Sequence, residues 1–290
     1  MKQTRYIADR AGPLLPFLLE RVRGSRNHVK GLLARGQVSV DGETVTRHDH
    51  PLSPGQVVAV APQAPEAAPF PVLYEDERIL VVDKPAGLLT VASDGEKVRT
   101  ACRLATGYLR KKDPGGRAFV VHRLDRDTSG VLLFAKDEAV RRAYQEDWNG
   151  RVLRRGYLAV TEGAPPRKSG TVRTLLRENS AHRVYSGRDG KLAVTHYTTL
   201  GGNGKYTLLE VSIDTGRKNQ IRAHLRELGC PVAGDRMYGA ATDPLGRLCL
   251  HAHELSLADP FTGERRVFRA DAPAGFFSLA RREGKRGGNA

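Results

Sequence analysis

Phe119-Val120-Val121-His122-Arg123-Leu124-Asp125-Arg126-Asp127-Thr128-Ser129-Gly130-Val131-Leu132-Leu133-Phe134-Ala135 is the stretch of this 290-residue chain from which the rest is best read. Phe119 to Val121 predicts a short apolar strand, and Val131 to Ala135 resumes the apolar run. A dense polar loop held between two buried strands is where a scaffold presents functional groups. Asp125 lies in that loop among His122, Arg123 and Arg126. A carboxylate near cations is expected to keep a low pKa and stay ionised at neutral pH, as a nucleophile or base requires. Read alone, the loop fits a salt-bridged structural turn better still, with Asp127-Thr128-Ser129 bonding the backbone.

Working outward, Arg78 to Asp83 predicts a buried strand that stops at Lys84-Pro85-Ala86-Gly87. Asp137 to Trp148 has helical spacing, with Ala139, Val140, Ala143 and Tyr144 on its apolar face. Tyr157 to Val160 and Tyr206 to Ile213 predict strands, and Arg217 to Leu228 a helix ending at Gly229. Strands with interspersed helices make an α/β or α+β domain.

A separate small unit precedes this one. Ser25 is placed to cap a helix whose Val29, Leu32 and Leu33 fall at i, i+3 and i+4, with Gly36 as terminator. Gln37 to Val40 alternates polar and apolar, Asp41-Gly42 is a hairpin turn, and Val57 to Val60 is a further strand. Arg26, Lys30 and Arg35 are expected on that helix's surface. Ala61-Pro62-Gln63-Ala64-Pro65-Glu66-Ala67-Ala68-Pro69 reads as a stiff proline–alanine linker. The expected division is therefore residues 1–61, a linker over 62–71, a large domain over 72–280, and a basic, glycine-rich tail over 281–290.

The formal net charge is +15, with 40% apolar residues, so the positive excess belongs to a folded protein. Such a charge implies a polyanionic partner, since phosphate neutralisation dominates non-specific nucleic-acid binding. Cys102, Cys230 and Cys249 are scattered, which argues against a disulfide framework and a zinc site. His251-Ala252-His253 lacks a third ligand at a persuasive spacing, and a strand with one buried histidine explains it better. Gly204-Lys205 fails as a phosphate loop because Tyr206 follows where Ser or Thr is needed. No apolar run approaches membrane-spanning length and the first ten residues are no secretory signal, so the cytosol is the expected compartment.

Four stretches, in order, carry a resemblance. His122-Arg123-Leu124-Asp125-Arg126-Asp127-Thr128-Ser129-Gly130 resembles the signature loop of the RluA-type pseudouridine synthases. Asp83-Lys84-Pro85-Ala86-Gly87-Leu88-Leu89 is similar to their opening motif, and Arg155-Gly156-Tyr157-Leu158-Ala159-Val160 to their tyrosine strand. Thr215-Gly216-Arg217-Lys218-Asn219-Gln220-Ile221-Arg222-Ala223-His224-Leu225 is similar to the third motif, with Gly234-Asp235-Arg236-Met237-Tyr238-Gly239 behind it. The third motif usually has histidine where this chain has Asn219. Tyr6 to Val60 resembles the small RNA-binding module named after ribosomal protein S-four. That module usually opens its first helix with Arg-Leu-Asp, where this chain has Pro13-Leu14-Leu15-Pro16.

The resemblance implies an α+β pseudouridine synthase fold, with a mixed, mostly antiparallel central sheet and flanking helices, preceded by a small α+β RNA-binding domain. It implies Asp125 as the essential carboxylate, Arg222 as the arginine paired with it, and Tyr157 stacking on the target base. Arg123 would enter the space an extruded uridine leaves, since the base must leave its stack to be reached. His122, Arg126 and Arg217 would contact RNA beside Arg26, Lys30 and Arg35, and Leu124 and Ile221 would line the pocket. Isomerisation is redox-neutral, so no cofactor and no metal is expected. The implied partner is structured RNA, with ribosomal RNA first because members carrying the amino-terminal module usually act there; a monomer is expected. A non-catalytic ribosome-assembly protein on the same fold accounts equally for the charge. Only the joint presence of Asp125, Tyr157 and Arg222 separates the two, because a binder has no need of that set.

Overall fold

The computed structural model describes residues 4–34, 36–61, 68–92 and 99–281. It divides into two compact units, residues 1–67 and 68–290. Arg35, residues 62–67 of the expected linker and residues 282–290 of the expected tail lie outside the described residues.

In the first unit, β1 (Thr4–Ile7), β2 (Gly12–Pro13), α1 (Leu14–Arg21), α2 (Arg26–Ala34), β3 (Val38–Val40), β4 (Glu43–Thr44), β5 (Pro51–Leu52) and β6 (Val57–Val60) follow in order. An antiparallel sheet runs β1-β6-β3-β4. Leu14, Leu15, Phe17 and Leu18 of α1 pack with Val29, Leu32 and Leu33 of α2 against Val38, Val40 and Val58. Pro13 and Pro16 do not prevent α1, because first-turn N–H groups have no intrahelical acceptor to lose. Ser25 Oγ accepts the His28 N–H at 3.2 Å, capping α2. Asp41 and Gly42 both take positive φ, +50° and +92°, as a two-residue hairpin demands. Arg26 and Lys30 are exposed.

The second unit is α+β. Its strands are β7 (Val72–Glu75), β8 (Ile79–Lys84), β9 (Phe119–Val120), β10 (Ser129–Ala135), β11 (Val152–Glu162), β12 (Ser169–Glu178), β13 (Val184–Ser186), β14 (Lys191–Gly202), β15 (Tyr206–Ile213), β16 (Leu250–Ala258) and β17 (Arg265–Arg269). The helices are α3 (Ala101–Lys112), α4 (Glu138–Glu146), α5 (Trp148–Arg151), α6 (Gln220–Glu227) and α7 (Ala274–Ala280). One 11-stranded sheet holds the unit together in the order β13-β12-β14-β15-β11-β16-β10-β8-β7, with β9 added to β10 and β17 to β16. All pairs are antiparallel except β10 with β16.

Every residue of β10 is buried, because helices cover both faces of the sheet there. Leu132 and Phe134 pack with Ala101, Ala105 and Leu109 of α3; Val131, Leu133 and Ala135 pack with Val140 and Tyr144 of α4. That is why the segment reads as an unbroken apolar run rather than an alternation. The other half of the sheet buries Ala159, Leu209 and Val211 against Ile221 and Leu225 of α6 and Phe276 of α7.

The two halves meet at a short seam. β10 and β16 run parallel for only two pairs, Ser129 with His251 and Gly130 with Ala252. Beyond them β10 takes β9 as neighbour and β16 takes β17. Gly130 has φ +116°, and a Cβ there would lie 2.1 Å from the Ala252 carbonyl oxygen, so only glycine allows the approach. Arg247 Nη2 donates to Ser129 Oγ at 2.6 Å, and Ser129 Oγ lies 2.8 Å from His251 Nδ1. His251 Nε2 lies 3.2 Å from the Ala270 carbonyl, so it carries the proton and Nδ1 accepts from the serine. Burial pulls the His251 pKa down to about 4, which keeps the ring neutral. This buried histidine staples the seam.

Candidate active site

The loop between β9 and β10 turns back across the seam and presents Asp125. Two clamps hold it, one on either side of that residue. Before it, Thr90 Oγ1 donates to the Leu124 carbonyl at 2.8 Å and accepts the Leu124 N–H at 3.2 Å. After it, Lys84 Nζ donates to the Arg126 carbonyl at 2.9 Å, and also to Pro85 O at 2.9 Å and Leu88 O at 2.8 Å. Lys84 is fully buried, and burial ahead of all else pulls its pKa to about 8. A buried ammonium in this role exchanges its water for three carbonyls and thereby fixes the backbone on which Asp125 stands.

The loop forms one wall of an open cleft of about 460 Å³, within the range of roughly 300–1,000 Å³ common to small-ligand sites. β11 and the start of α6 form the other. His122, Arg123, Leu124, Asp125, Tyr157, Arg217, Ile221 and Arg222 all line it, although they come from three distant parts of the sequence. Arg126 points elsewhere, pairing at 3.2 Å with Asp127 on an exposed surface. Arg123 is exposed and has no ion-pair partner among the described residues. Gln145, Trp148, Arg155 and Lys218, to which the sequence reading gave no role, line it too.

Asp125 departs from expectation. Its pKa is raised, because burial outweighs the opposing charge of Arg222, the N–H of Asn219 and the charges of Arg123 and Lys84. It forms no ion pair within 4 Å among the described residues. The carboxylate is therefore under-coordinated rather than neutralised.

Arg222 departs for a related reason. Its Nε and Nη2 grip Asp235 in a fork at 2.6 and 2.8 Å, and Nη1 donates to Asn219 Oδ1 at 2.7 Å. Burial lowers its pKa, but the bond and charge of Asp235 more than restore it, so it is raised. The direct pairing expected with Asp125 is not formed. Arg222 instead reaches Asp125 by its charge and through Asn219, whose side chain it holds while the Asn219 backbone N–H faces the carboxylate.

Asn219 thus has a position that the sequence reading did not assign it. It is the α6 N-cap residue in the left-handed region, φ +51°, a conformation asparagine tolerates better than most side chains. Gln220 ties the same turn down: Oε1 accepts the Arg217 N–H at 3.1 Å and Nε2 donates to Val194 O at 2.9 Å.

Tyr157 sits half-buried on β11, and burial pushes its hydroxyl up to about 12, with Arg155 opposing and Asp125 adding. It remains a neutral proton donor with its ring on the cleft. His122 is neutral as well. Burial, then the charge of Arg155, pulls it to about 3, and its Nε2 accepts the Leu133 N–H at 3.1 Å. A neutral imidazole spent on that bond offers RNA no positive charge; its ring stacks on Trp148 with centroids 5.1 Å apart.

The cleft gathers a carboxylate, a tyrosine and arginines on a split mixed sheet, and comparison with known proteins gives the chain a family. Residues 78–227 match the family model described as RNA pseudouridylate synthase, and the chain belongs to that family. It is an isomerase acting on RNA. It is 30% identical over 280 residues to the uncharacterized RNA pseudouridine synthase YhcT of Bacillus subtilis, covering 92% of each chain. It is 36% identical to ribosomal large subunit pseudouridine synthase D of Xanthomonas campestris, over 86% of this chain and 81% of that one. The structure of human RNA pseudouridylate synthase domain containing 1 superposes with a TM-score of 0.57 at 27% identity, over 74% of this chain and 87% of that chain. Human RNA pseudouridylate synthase domain containing 4 shares the fold with a TM-score of 0.61 at 23% identity, over 74% of this chain and 93% of that one. Among the described residues no cluster of histidine, cysteine and carboxylate side chains is placed to hold a metal.

Proposed function

We propose that this chain converts uridine to pseudouridine in ribosomal RNA, with Asp125 acting on the ribose of the target nucleotide. The observation that carries this is the unpaired Asp125 carboxylate in a cleft lined by Arg123, Arg217, Lys218 and Arg222. Breaking a glycosidic bond builds positive charge on the sugar, and a carboxylate with few competing hydrogen bonds stabilises or attacks it best. Tyr157 offers a ring face to a flipped pyrimidine and a hydroxyl that keeps its proton. Arg123, unpaired and exposed, has the planar guanidinium needed to fill a vacated stack. The small amino-terminal unit adds RNA contacts through Arg26 and Lys30. Ribosomal RNA is supported by relatives from Xanthomonas campestris and Nitrosomonas europaea that carry the name ribosomal large subunit pseudouridine synthase D.

Pseudouridine has the mass of uridine, so the test follows tritium instead. Ribosomal RNA and tRNA pools are transcribed with tritium on uracil carbon five, and release is measured for the wild type and Asp125→Asn. Release from the ribosomal pool alone, absent in the variant, is the expected result. Release from tRNA only would overturn the substrate, and none from naked RNA or ribosomal particles would overturn the reading.

A further inference from the structure

β11 carries two consecutive arginines that meet opposite fates. Arg154 is satisfied: it lies 2.5 Å from Glu210 and 3.6 Å from Glu254. Arg155 points to the other face, the cleft face it shares with Tyr157 two residues on. It has no carboxylate within ion-pair distance among the described residues. Among the described residues its one hydrogen bond runs from Nη2 to the Asp214 carbonyl, and its buried Nε has no acceptor. Burial, and the like charge of Arg217, lower its pKa. Gly216 passes so close that a Cβ there would come within 2.9 Å of Arg155 Nη1. The fold therefore keeps a half-buried cation short of acceptors, whereas Glu210 satisfies Arg154 next to it.

An under-bonded guanidinium in a cleft that receives a polyanion is complementary to an anionic oxygen. RNA brings two kinds here: the backbone phosphate, and the uracil oxygens that gain charge when the base is detached. Arg217 stands on the same wall without a carboxylate partner among the described residues, while Lys218 is paired with Glu178. Two neighbouring unpaired guanidinium groups match a full phosphate charge better than a delocalised one. We propose that Arg155 seats a backbone phosphate of the strand that carries the target uridine. This deepens the functional reading above and rests on it.

The chain has a single tryptophan, Trp148, and it lines the same cleft, so its fluorescence reports RNA entry without turnover. Binding of the ribosomal RNA transcript is titrated by that signal over a range of salt, and KM and kcat are taken from tritium release. For Arg155→Gln we expect binding and KM weakened about tenfold with kcat within about twofold, as for loss of one charge-assisted bond. The slope of log affinity against log salt should become shallower by about 0.7 to 0.9, the contribution of one phosphate. Arg155→Lys should keep the slope, and Arg154→Gln, from the opposite face, should leave it unchanged. If Arg155→Gln folds poorly, Arg155→Met keeps the apolar stem and carries the same measurement. A wild-type slope in the uncharged variants overturns the proposal, and so does a fall in kcat alone, which would assign Arg155 to the detached base. Should wild type release no tritium, the synthase reading fails while the fluorescence titration still decides the phosphate seat.

Discussion

Glu75 and Asp125 are both partly sequestered carboxylates of one domain, and the fold treats them oppositely. Glu75, at the β7 edge, gathers Lys112 at 2.7 Å, Lys136 at 2.8 Å and the Tyr108 hydroxyl at 2.8 Å. Burial raises its pKa, but those three donors win and push it down to about 2. Asp125 has cations around it and the Asn219 N–H, yet burial wins and its pKa rises. The strongest opposing charge, Arg222, is already committed to Asp235. Where a carboxylate joins elements, the fold supplies partners; at the cleft it withholds them, which suits the role on substrate proposed for Asp125.

Breaking the second half of that contrast should have the largest effect. Asp125→Asn should lower tritium release by on the order of a thousandfold or more. Its melting temperature should hold or rise, because an under-coordinated buried charge has been removed. Next comes the clamp. Lys84→Met takes the donor from three carbonyls, of which that of Leu88 is buried, so it should cost roughly 2–4 kcal/mol in urea unfolding. It should also lower kcat about a hundredfold by loosening the loop.

Arg222 sharpens the comparison through pH. Its charge lowers the Asp125 pKa, so removing it lets that pKa rise further, and the ionised form is lost at a higher pH. The acidic limb of kcat/KM should therefore move to higher pH in Arg222→Gln, and less in Arg222→Lys, which keeps the charge but not the fork to Asp235. Glu75→Gln should have the smallest effect. A folded-state pKa of about 2 against an ordinary 4.5 means that Glu75 stabilises the fold fully above pH 4.5 and loses this as pH falls towards 2. The variant should be about 1–3 kcal/mol less stable at pH 7. It should show a flatter stability profile below pH 4.5, with tritium release within about twofold of wild type.

Much of the scaffold was legible because burial on both faces leaves an apolar run in a strand, and burial on one face leaves helical spacing. Val131 to Ala135, Tyr206 to Ile213 and Asp137 to Trp148 correspond to β10, β15 and α4. The long antiparallel pair of β12 and β14 was not read. Strands such as Ser169–Glu178, with exposed Arg173 and Arg177 and half-buried neighbours, carry little alternation of hydrophobicity. The small unit was legible through its turns, since Asp41-Gly42 and Gly36 punctuate it.

The site was legible in its membership more than in its wiring. Asp125, Tyr157, Arg123 and Arg222 all reach one cleft, but His122 turned out to be a neutral acceptor for the Leu133 N–H and Arg126 a surface partner of Asp127. Asn219, Asp235, Lys84 and Arg155 all lay inside the motif stretches, so their presence was visible while their bonds were not. Trp148 and Thr90 carried no such signal.

By itself, the sequence determined which segments are buried, where the chain turns, and that a polyanion is the partner, because hydrophobic run, glycine placement and net charge are local or additive properties. Only the tertiary structure decided which carboxylate Arg222 grips, which arginine of β11 is left unpaired, and that Asp125 sits above its usual pKa. Those outcomes depend on competition among groups far apart in the chain for the same few hydrogen bonds, and on how much water the packing removes from each.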